Sequence, residues 1–264
     1  MNSHKNQGLL RRWLENPLTR GYDLDDPCLT DIRQQVIREN HFLYKVYQAW
    51  YQYLAEALPK NPLPSLEIGA GAGFLREYIP NLIQSDILPV AGNDLSLDAL
   101  QIPIKSSTLR AILMTNVLHH IPDAAQFFAE ADRVLMPGGI IGMIEPWVSK
   151  WSKWVYTRLH HEGFDPNSMK WQFPSTGPLS GANSALPWII FHRDLKTFTE
   201  LFPNLQVIQI DPKMPILYLV SGGVSMRQLA PTIGFTFVQW LDEKLCNLKS
   251  HPAMFVGVII RKKS

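Results

Sequence analysis

The residues that could do chemistry gather in three places. The first is Leu66-Glu67-Ile68-Gly69-Ala70-Gly71-Ala72-Gly73-Phe74, a short apolar run ending in three alternating glycines. Glycine lets a ligand approach the backbone closely, and such a loop between a strand and a helix is a ligand cradle. A phosphate-binding P-loop would close with Gly-Lys-Ser/Thr, and this loop has no lysine. A dinucleotide fingerprint would need glycine where Phe74 stands. Glu67 lies two residues before the first glycine, where its charge would repel a pyrophosphate and attract a cation. The loop therefore points to a ligand that carries positive charge and no phosphate.

The second and third places hold candidate proton acceptors: His119-His120 with Glu145, and His160-His161. Each has a plainer reading. The first pair suits scaffold or the wall of a ligand pocket, and Glu145 suits a cap or an ion pair. Adjacent residues on a helix point in different directions, so His160-His161-Glu162 does not make a metal site by itself, and no metal is expected.

These residues need elements to position them. Asp26-Pro27 is a cap followed by proline at a first helical position. From Leu29 to Leu58 there is neither glycine nor proline, and Ile32, Val36, Ile37, Phe42, Val46, Trp50, Leu54 and Leu58 recur at helical spacing. Leu63–Ile68, Leu82–Asp86, Ala111–Thr115 and Ile140–Glu145 read as short buried strands, with a helix over Pro122–Leu135 between the last two. Strands separated by helices imply βαβ units and a parallel sheet. Residues 147–192 then hold five of the eight tryptophans and little periodicity, and read as a long functional cover. Trp147, Trp151, Trp154, Trp171 and Trp188 stand equally as an aromatic acceptor pocket or as packing. A helix (Asp194–Phe202), a strand (Leu205–Asp211), a broken apolar stretch (Met214–Leu241), a helix near Val224–Leu248 and a last strand (Met254–Ile260) complete the chain.

Composition removes whole classes. The chain has 264 residues, 46% of them hydrophobic and 18% charged, with net charge +2, which excludes disorder. With 25 basic residues against 23 acidic ones and no cluster, a nucleic-acid partner is not expected. Cys28 and Cys246 form no C-x-x-C pair, which fits a reducing cytoplasm. No signal peptide or membrane span is expected, since Met214–Leu241 is broken by Arg227, two prolines and three glycines. That apolar stretch leaves a hydrophobic acceptor, a peripheral membrane contact, a dimer contact and a core hairpin open, and the oligomeric state with them.

S-adenosylmethionine meets the charge description of the loop, with an ammonium and a sulfonium. The sequence here resembles the class I S-adenosylmethionine-dependent methyltransferases, in particular their small-molecule branch called type 11, from about Leu63 to Trp147. Glu67-Ile68-Gly69-Ala70-Gly71-Ala72-Gly73 is similar to the first motif of that family, which receives the methionine moiety. Asp86 matches the acid that takes the ribose hydroxyls. Asp98-Ala99-Leu100-Gln101-Ile102-Pro103-Ile104 resembles the segment whose aspartate meets the adenine amino group. Met114-Thr115-Asn116-Val117-Leu118-His119-His120-Ile121 resembles the end of the fourth strand, beside the transferable methyl, and Arg133-Val134-Leu135-Met136-Pro137-Gly138-Gly139 the turn before the fifth. One departure is the spacing. Asp86 follows Gly73 by 13 positions and Asp98 follows Asp86 by 12, where the family has a helix in each gap. The second gap has no room for a full helix beside Pro89 and Gly92, and it leaves Asp94 as an alternative ribose acid.

The expected fold is therefore α/β, a Rossmann-like, mostly parallel sheet of the seven-stranded methyltransferase type with an N-terminal helical cap and C-terminal insertions. The expected organisation is a cap over 1–60, a cofactor-binding core over 61–147, and an acceptor-site insertion with the remaining strands over 148–264. The resemblance implies S-adenosyl-L-methionine as cofactor and a small-molecule acceptor, with a hydrophobic one among the alternatives. It places Glu67, Gly69, Ala70, Gly71, Gly73, Asp86, Asp98, Ala99 and Asn116 at the cofactor, with His119, His120, Glu145 and His161 as candidate catalytic groups. Two rivals stand beside it: a nicotinamide-dependent oxidoreductase on the same kind of sheet, and a cofactor-binding subunit that transfers nothing.

Overall fold

The computed structural model describes residues 14–22, 27–159, 162–174, 177, 181–248 and 252–264. Two helices, α1 (Pro27–Glu39) and α2 (His41–Glu56), precede the sheet. The apolar spacing reads as one helix, but the chain breaks at Asn40. Its backbone is extended, and its side chain caps α2 by accepting from Leu43 N at 3.0 Å while Nδ2 donates to the Ser221 carbonyl at 2.8 Å. Asparagine here replaces a helical bond with a side-chain one, which no glycine or proline announces. Asp26, the expected cap of α1, lies outside the described residues.

The strands are β1 (Ser65–Ile68), β2 (Leu82–Asp86), β3 (Leu95–Ser96), β4 (Leu109–Thr115), β5 (Leu135–Pro146), β6 (Leu205–Lys213) and β7 (Phe255–Lys262). They form one seven-stranded sheet in the order β3-β2-β1-β4-β5-β7-β6. Strands β1 to β5 pair in parallel, and β7 runs antiparallel between β5 and β6. This is the Rossmann-like arrangement the sequence implies. In an open α/β sheet, ligands gather at the carboxyl ends of the strands where the order reverses, here between β1 and β4.

The central strands are buried on both faces, as parallel strands must be. Ile112 and Met114 of β4 join the core under helix α3 (Ala124–Val134), while Ala111 and Leu113 join the one under α2. Asp123 caps α3 by accepting from Gln126 N at 3.0 Å, and Ala124, Phe127, Phe128, Ala131 and Val134 form its buried stripe.

The shortened gaps behave as their length requires. Between β1 and β2 there is only one 3₁₀ turn, Leu75–Glu77, and between β2 and β3 no helix at all. The cover after β5 is more ordered than its composition implies. It contains α4 (Lys150–Leu159), α5 (Leu186–Trp188) and a π-helical turn, Ile189–Arg193. Its tryptophans pack rather than line a pocket: Trp147 and Trp171 belong to the main core, and Trp151 stacks on the half-exposed Trp154. Helices α6 (Leu195–Leu201), α7 (Leu217–Ser221) and α8 (Phe235–Cys246) complete the fold, with Tyr218 of α7 stacked on Trp50 of α2. No helix among the described residues is long and apolar enough to cross a membrane.

Candidate active site

A cavity of about 630 Å³ opens at the carboxyl ends of β1, β2 and β4, well within the size that holds small ligands. One end is the glycine loop. Gly69 and Gly71 have φ of +67° and +43°, the left-handed region that side chains avoid. The fold needs glycine at 69, because a Cβ there would lie 2.5 Å from Val117 Cγ2 across the sheet. Gly71 N donates to Asp86 Oδ2 at 3.0 Å, which ties the loop to the end of β2. The second oxygen of Asp86 accepts from Leu88 N at 3.0 Å. Asp94, its rival, instead accepts from Gln84 N, pairs with Arg76 and does not line the cavity. Glu67, Gly69, Ala70, Gly71, Gly73, Asp86, Asp98, Ala99 and Asn116 all line it.

Glu67 is buried, and Gln84 Nε2 donates to its carboxylate at 2.8 Å. Burial raises its pKa to about 7, against the weaker downward pull of Gln84 and Arg76. No lysine lines the cavity among the described residues, and its one arginine, Arg33, comes from α1. Thr115 Oγ1 is buried beside this end with no hydrogen-bond partner among the described residues. Acids, a left-handed glycine loop and an orphaned hydroxyl fit a cationic, hydroxyl-rich ligand. They do not fit a pyrophosphate, whose usual support, a helix N-terminus after the loop, is replaced here by the single 3₁₀ turn.

Residues 66–143 match a family model described as a methyltransferase domain. The chain carries a class I S-adenosylmethionine-dependent methyltransferase domain. Among solved structures, this methyltransferase resembles a chain in the complex between the Haloferax volcanii Trm112 methyltransferase activator and a methyltransferase candidate. The two are 11% identical with a TM-score of 0.52 over 91% of this chain and 96% of that one. It also resembles geranyl diphosphate C-methyltransferase from Streptomyces coelicolor A3(2), solved with Mg²⁺, geranyl diphosphate and S-adenosyl-L-homocysteine. There the identity is 13% and the TM-score 0.50 over 96% of this chain and 91% of that one. At these identities the likeness is one of fold. No curated protein matches the methyltransferase in sequence.

The far end of the cavity departs from the sequence expectation. It takes Thr30, Arg33 and Ile37 from one face of α1, Tyr47 from α2, Tyr156 and Glu162 from the cover, and Tyr218, Leu219 and Gly222–Met226 from the broken apolar stretch, while Tyr51 of α2 sits against the glycine loop, its hydroxyl accepting from Phe74 N at 3.2 Å. No tryptophan lines it among the described residues. Arg33, Tyr47 and Tyr218 make no hydrogen bond through their side chains to any described residue. Arg33 is desolvated, which lowers its pKa, with Tyr47, Glu162 and Tyr218 close enough to pull it back up.

Of the four candidate catalytic groups, His119 and His120 line the cavity in a 3₁₀ turn after β4. Glu145 lies behind them, fully buried. Its Oε1 accepts from Val117 N and Leu118 N, both at 2.8 Å, and its Oε2 contacts His119 Nδ1 at 2.7 Å. It positions the turn and cannot reach a ligand. His161 lies outside the described residues. Burial pulls the His119 pKa down, but the hydrogen bond and charge of Glu145, with those of Glu162, raise it to about 9. His120 is lowered to about 4 by burial and by the charge of His119. Sequence reasoning missed Arg33, Tyr47 and Tyr218; the one available signal was the i, i+3, i+7 face of Thr30, Arg33 and Ile37, which sets a cation in an otherwise apolar stripe.

Proposed function

We propose that this methyltransferase transfers a methyl group to a small acceptor with an apolar body and an acidic group. The observation that supports the reading is one cavity lined both by the glycine loop with its acids and by Arg33, Tyr47 and Tyr218. At the first end, the Gly69–Gly73 backbone and Glu67 would hold the methionine part of the cofactor. Asp86 would take the ribose hydroxyls and Asp98 with Ala99 the adenine. When bound, the cofactor supplies an electrophilic methyl on a sulfonium. At the second end, Ile37, Val155, Leu219 and the tyrosine rings form an apolar chamber in which Arg33, Tyr47 and Tyr218 present free donors. A guanidinium and two hydroxyls with no hydrogen-bond partner among the described residues suit a carboxylate or phosphate.

What the chain's own residues do is orient and exclude water. Holding an acceptor in line beside the cofactor is worth up to ~7–11 kcal/mol of the barrier. Asn116 has φ +58° at the end of β4, and His119 and His120, which follow it, line the same cavity.

Arg33→Ala is expected to raise the acceptor KM by ~10–100-fold with little change in the affinity for S-adenosylhomocysteine, since a hydrogen bond to a charged group contributes about 1.5–3 kcal/mol. Steady-state kinetics with matched acids and their amides tests this. Amides that perform as well as the acids, or an unchanged KM, would sink the acidic-acceptor reading. Tritiated-methyl transfer into a mixed small-molecule extract tests the function itself, and turnover only with nicotinamide cofactors would contradict it.

Glu67 gives a pH dependence. Its pKa of about 7 means the carboxyl of the free protein is protonated below that pH. A cationic ligand favours the carboxylate, so S-adenosylmethionine affinity is expected to rise as pH goes from 6 to about 7, by up to ~10-fold, and to level off above it. Calorimetric titration across that range should show the rise in wild type and a flat profile in Glu67→Gln. A flat wild-type profile would place the cation elsewhere.

A further inference from the structure

We propose that His119, His120 and Glu162 form a divalent transition-metal site that faces the acceptor end of the cavity. The ligand atoms would be the two Nε2 nitrogens and the Glu162 carboxylate. His119 Nε2 lies 3.4 Å from Glu162 Oε2, and His120 Nε2 lies 3.7 Å from Glu162 Oε1. One potential ligand atom from each residue falls within a sphere where all lie at most 4.8 Å apart. Zinc bonds of ~2.0–2.2 Å put tetrahedral ligands about 3.3–3.5 Å from one another, so both His–Glu separations are within a few tenths of an ångström of a coordinated geometry, and a separation as wide as 4.8 Å would close by about 1.3 Å on binding.

The hydrogen bonds behind the rings carry the inference. His120 Nδ1 faces the Gly181 carbonyl at 3.2 Å. A carbonyl can only accept, so the ring proton sits on Nδ1 and Nε2 bears a lone pair. That lone pair points towards a carboxylate oxygen, an acceptor facing an acceptor, and a cation between them removes the conflict. His119 Nδ1 is held by Glu145 at 2.7 Å, and Glu145 is itself fixed by two backbone N–H groups. A metal-binding histidine usually gives its second nitrogen to a carboxylate or a backbone carbonyl, and here one of each is present. All three proposed ligands line the cavity, so the remaining coordination positions open on ligand space, as in a catalytic rather than a structural site. Arg33 is the nearby cation that also faces Glu162.

Two imidazoles and one carboxylate suit zinc first and other first-row dications after it. The open positions would take an oxygen, nitrogen or sulfur of a small ligand. The site stands independently of what the acceptor is.

The test is metal binding by the untagged full-length chain, stripped with chelator and then titrated with Zn²⁺ or with Co²⁺ as a spectroscopic probe. One ion per chain is expected, with visible Co²⁺ bands of a four- or five-coordinate site. Glu162→Gln and His120→Gln should each weaken binding by 100-fold or more while circular dichroism shows a folded protein. His192→Gln should bind as wild type does. Absence of stoichiometric binding by the wild type would overturn the proposal. So would binding unchanged in Glu162→Gln, or binding lost in His160→Gln or His161→Gln but kept in His120→Gln.

Discussion

A Gly71→Leu variant is expected to stay folded and to lose the thermal stabilisation that S-adenosylhomocysteine gives the wild type. The two halves of that outcome have different causes. Gly71 has φ +43°, so any side chain there carries left-handed strain of about 1–2 kcal/mol. Nothing in the protein blocks the side chain: a Cβ would meet Asp86 Oδ2 and the Gly69 carbonyl at 3.8 Å, ordinary contact. For a chain of this size the strain should lower the midpoint by roughly 2–8 °C. The leucine would instead fill the space over the loop, where a ligand must approach the backbone. A ligand at 100 times its dissociation constant adds ~2.7 kcal/mol of stability, and this gain should disappear as affinity falls by 100-fold or more. Differential scanning fluorimetry with and without the ligand reads both effects. A retained ligand shift would mean that the cofactor does not lie on this loop. Gly69 is the wrong place for the same experiment, because a Cβ there collides with Val117 and the fold itself would give way.

Sequence and structure agree best where the signal is local. Strand β2 spans the predicted residues, and β4 and β5 contain the predicted ones, because a buried parallel strand is a continuous apolar run. That the glycine loop, Asp86 and Asp98 come together at one cavity was legible because residue types and spacing in a βα loop are local signals. Strand β3 was not, since it has two residues and both are exposed. Strand β5 also begins earlier than its apolar run. Leu135 pairs with Leu109, and an irregularity in the ladder carries the pairing past the Pro137-Gly138-Gly139 turn signal. The acceptor end was the least legible part. Its walls come from α1, α2, the cover and α7, elements that meet only through long-range packing, and tryptophan content pointed to the cover alone. The tryptophans of the cover pack, whereas Arg33 and Tyr47 lie on a stretch read as one amphipathic helix and Tyr218 in the broken apolar stretch, where nothing local marks a polar role.

The rival oxidoreductase fails on the same local facts. A dinucleotide needs a helix N-terminus and a close approach at the third glycine of its fingerprint. Here Phe74 stacks on Tyr44 and packs against Tyr51, and only a 3₁₀ turn follows. A silent subunit is a weaker rival for another reason. Donors in a ligand cavity that have no partner among the described residues cost stability when nothing binds them, and a fold retained only as scaffold would have no use for them.

Glu145→Ala is expected to be among the most destabilising single substitutions in the chain. The carboxylate is fully buried and has three donors: Val117 N, Leu118 N and the His119 ring. Alanine would leave two backbone N–H groups and a buried imidazole without their partner. Removing one member of a buried, hydrogen-bonded charge pair costs about 3–5 kcal/mol, which for a domain of this size lowers the melting midpoint by roughly 6–20 °C. Glu145→Gln separates the two roles of the group. The amide oxygen can still accept from Val117 N and Leu118 N, so the turn after β4 should hold. Its NH₂, however, meets the Nδ1–H of His119, donor against donor, and the ring loses its orientation. The glutamine variant should therefore melt between wild type and alanine while its methyl transfer falls as steeply as alanine's at a temperature where both are folded. Equal melting points for all three proteins would show that Glu145 does not carry the turn. Full activity in the glutamine variant would show that the orientation of His119 does not matter to the reaction.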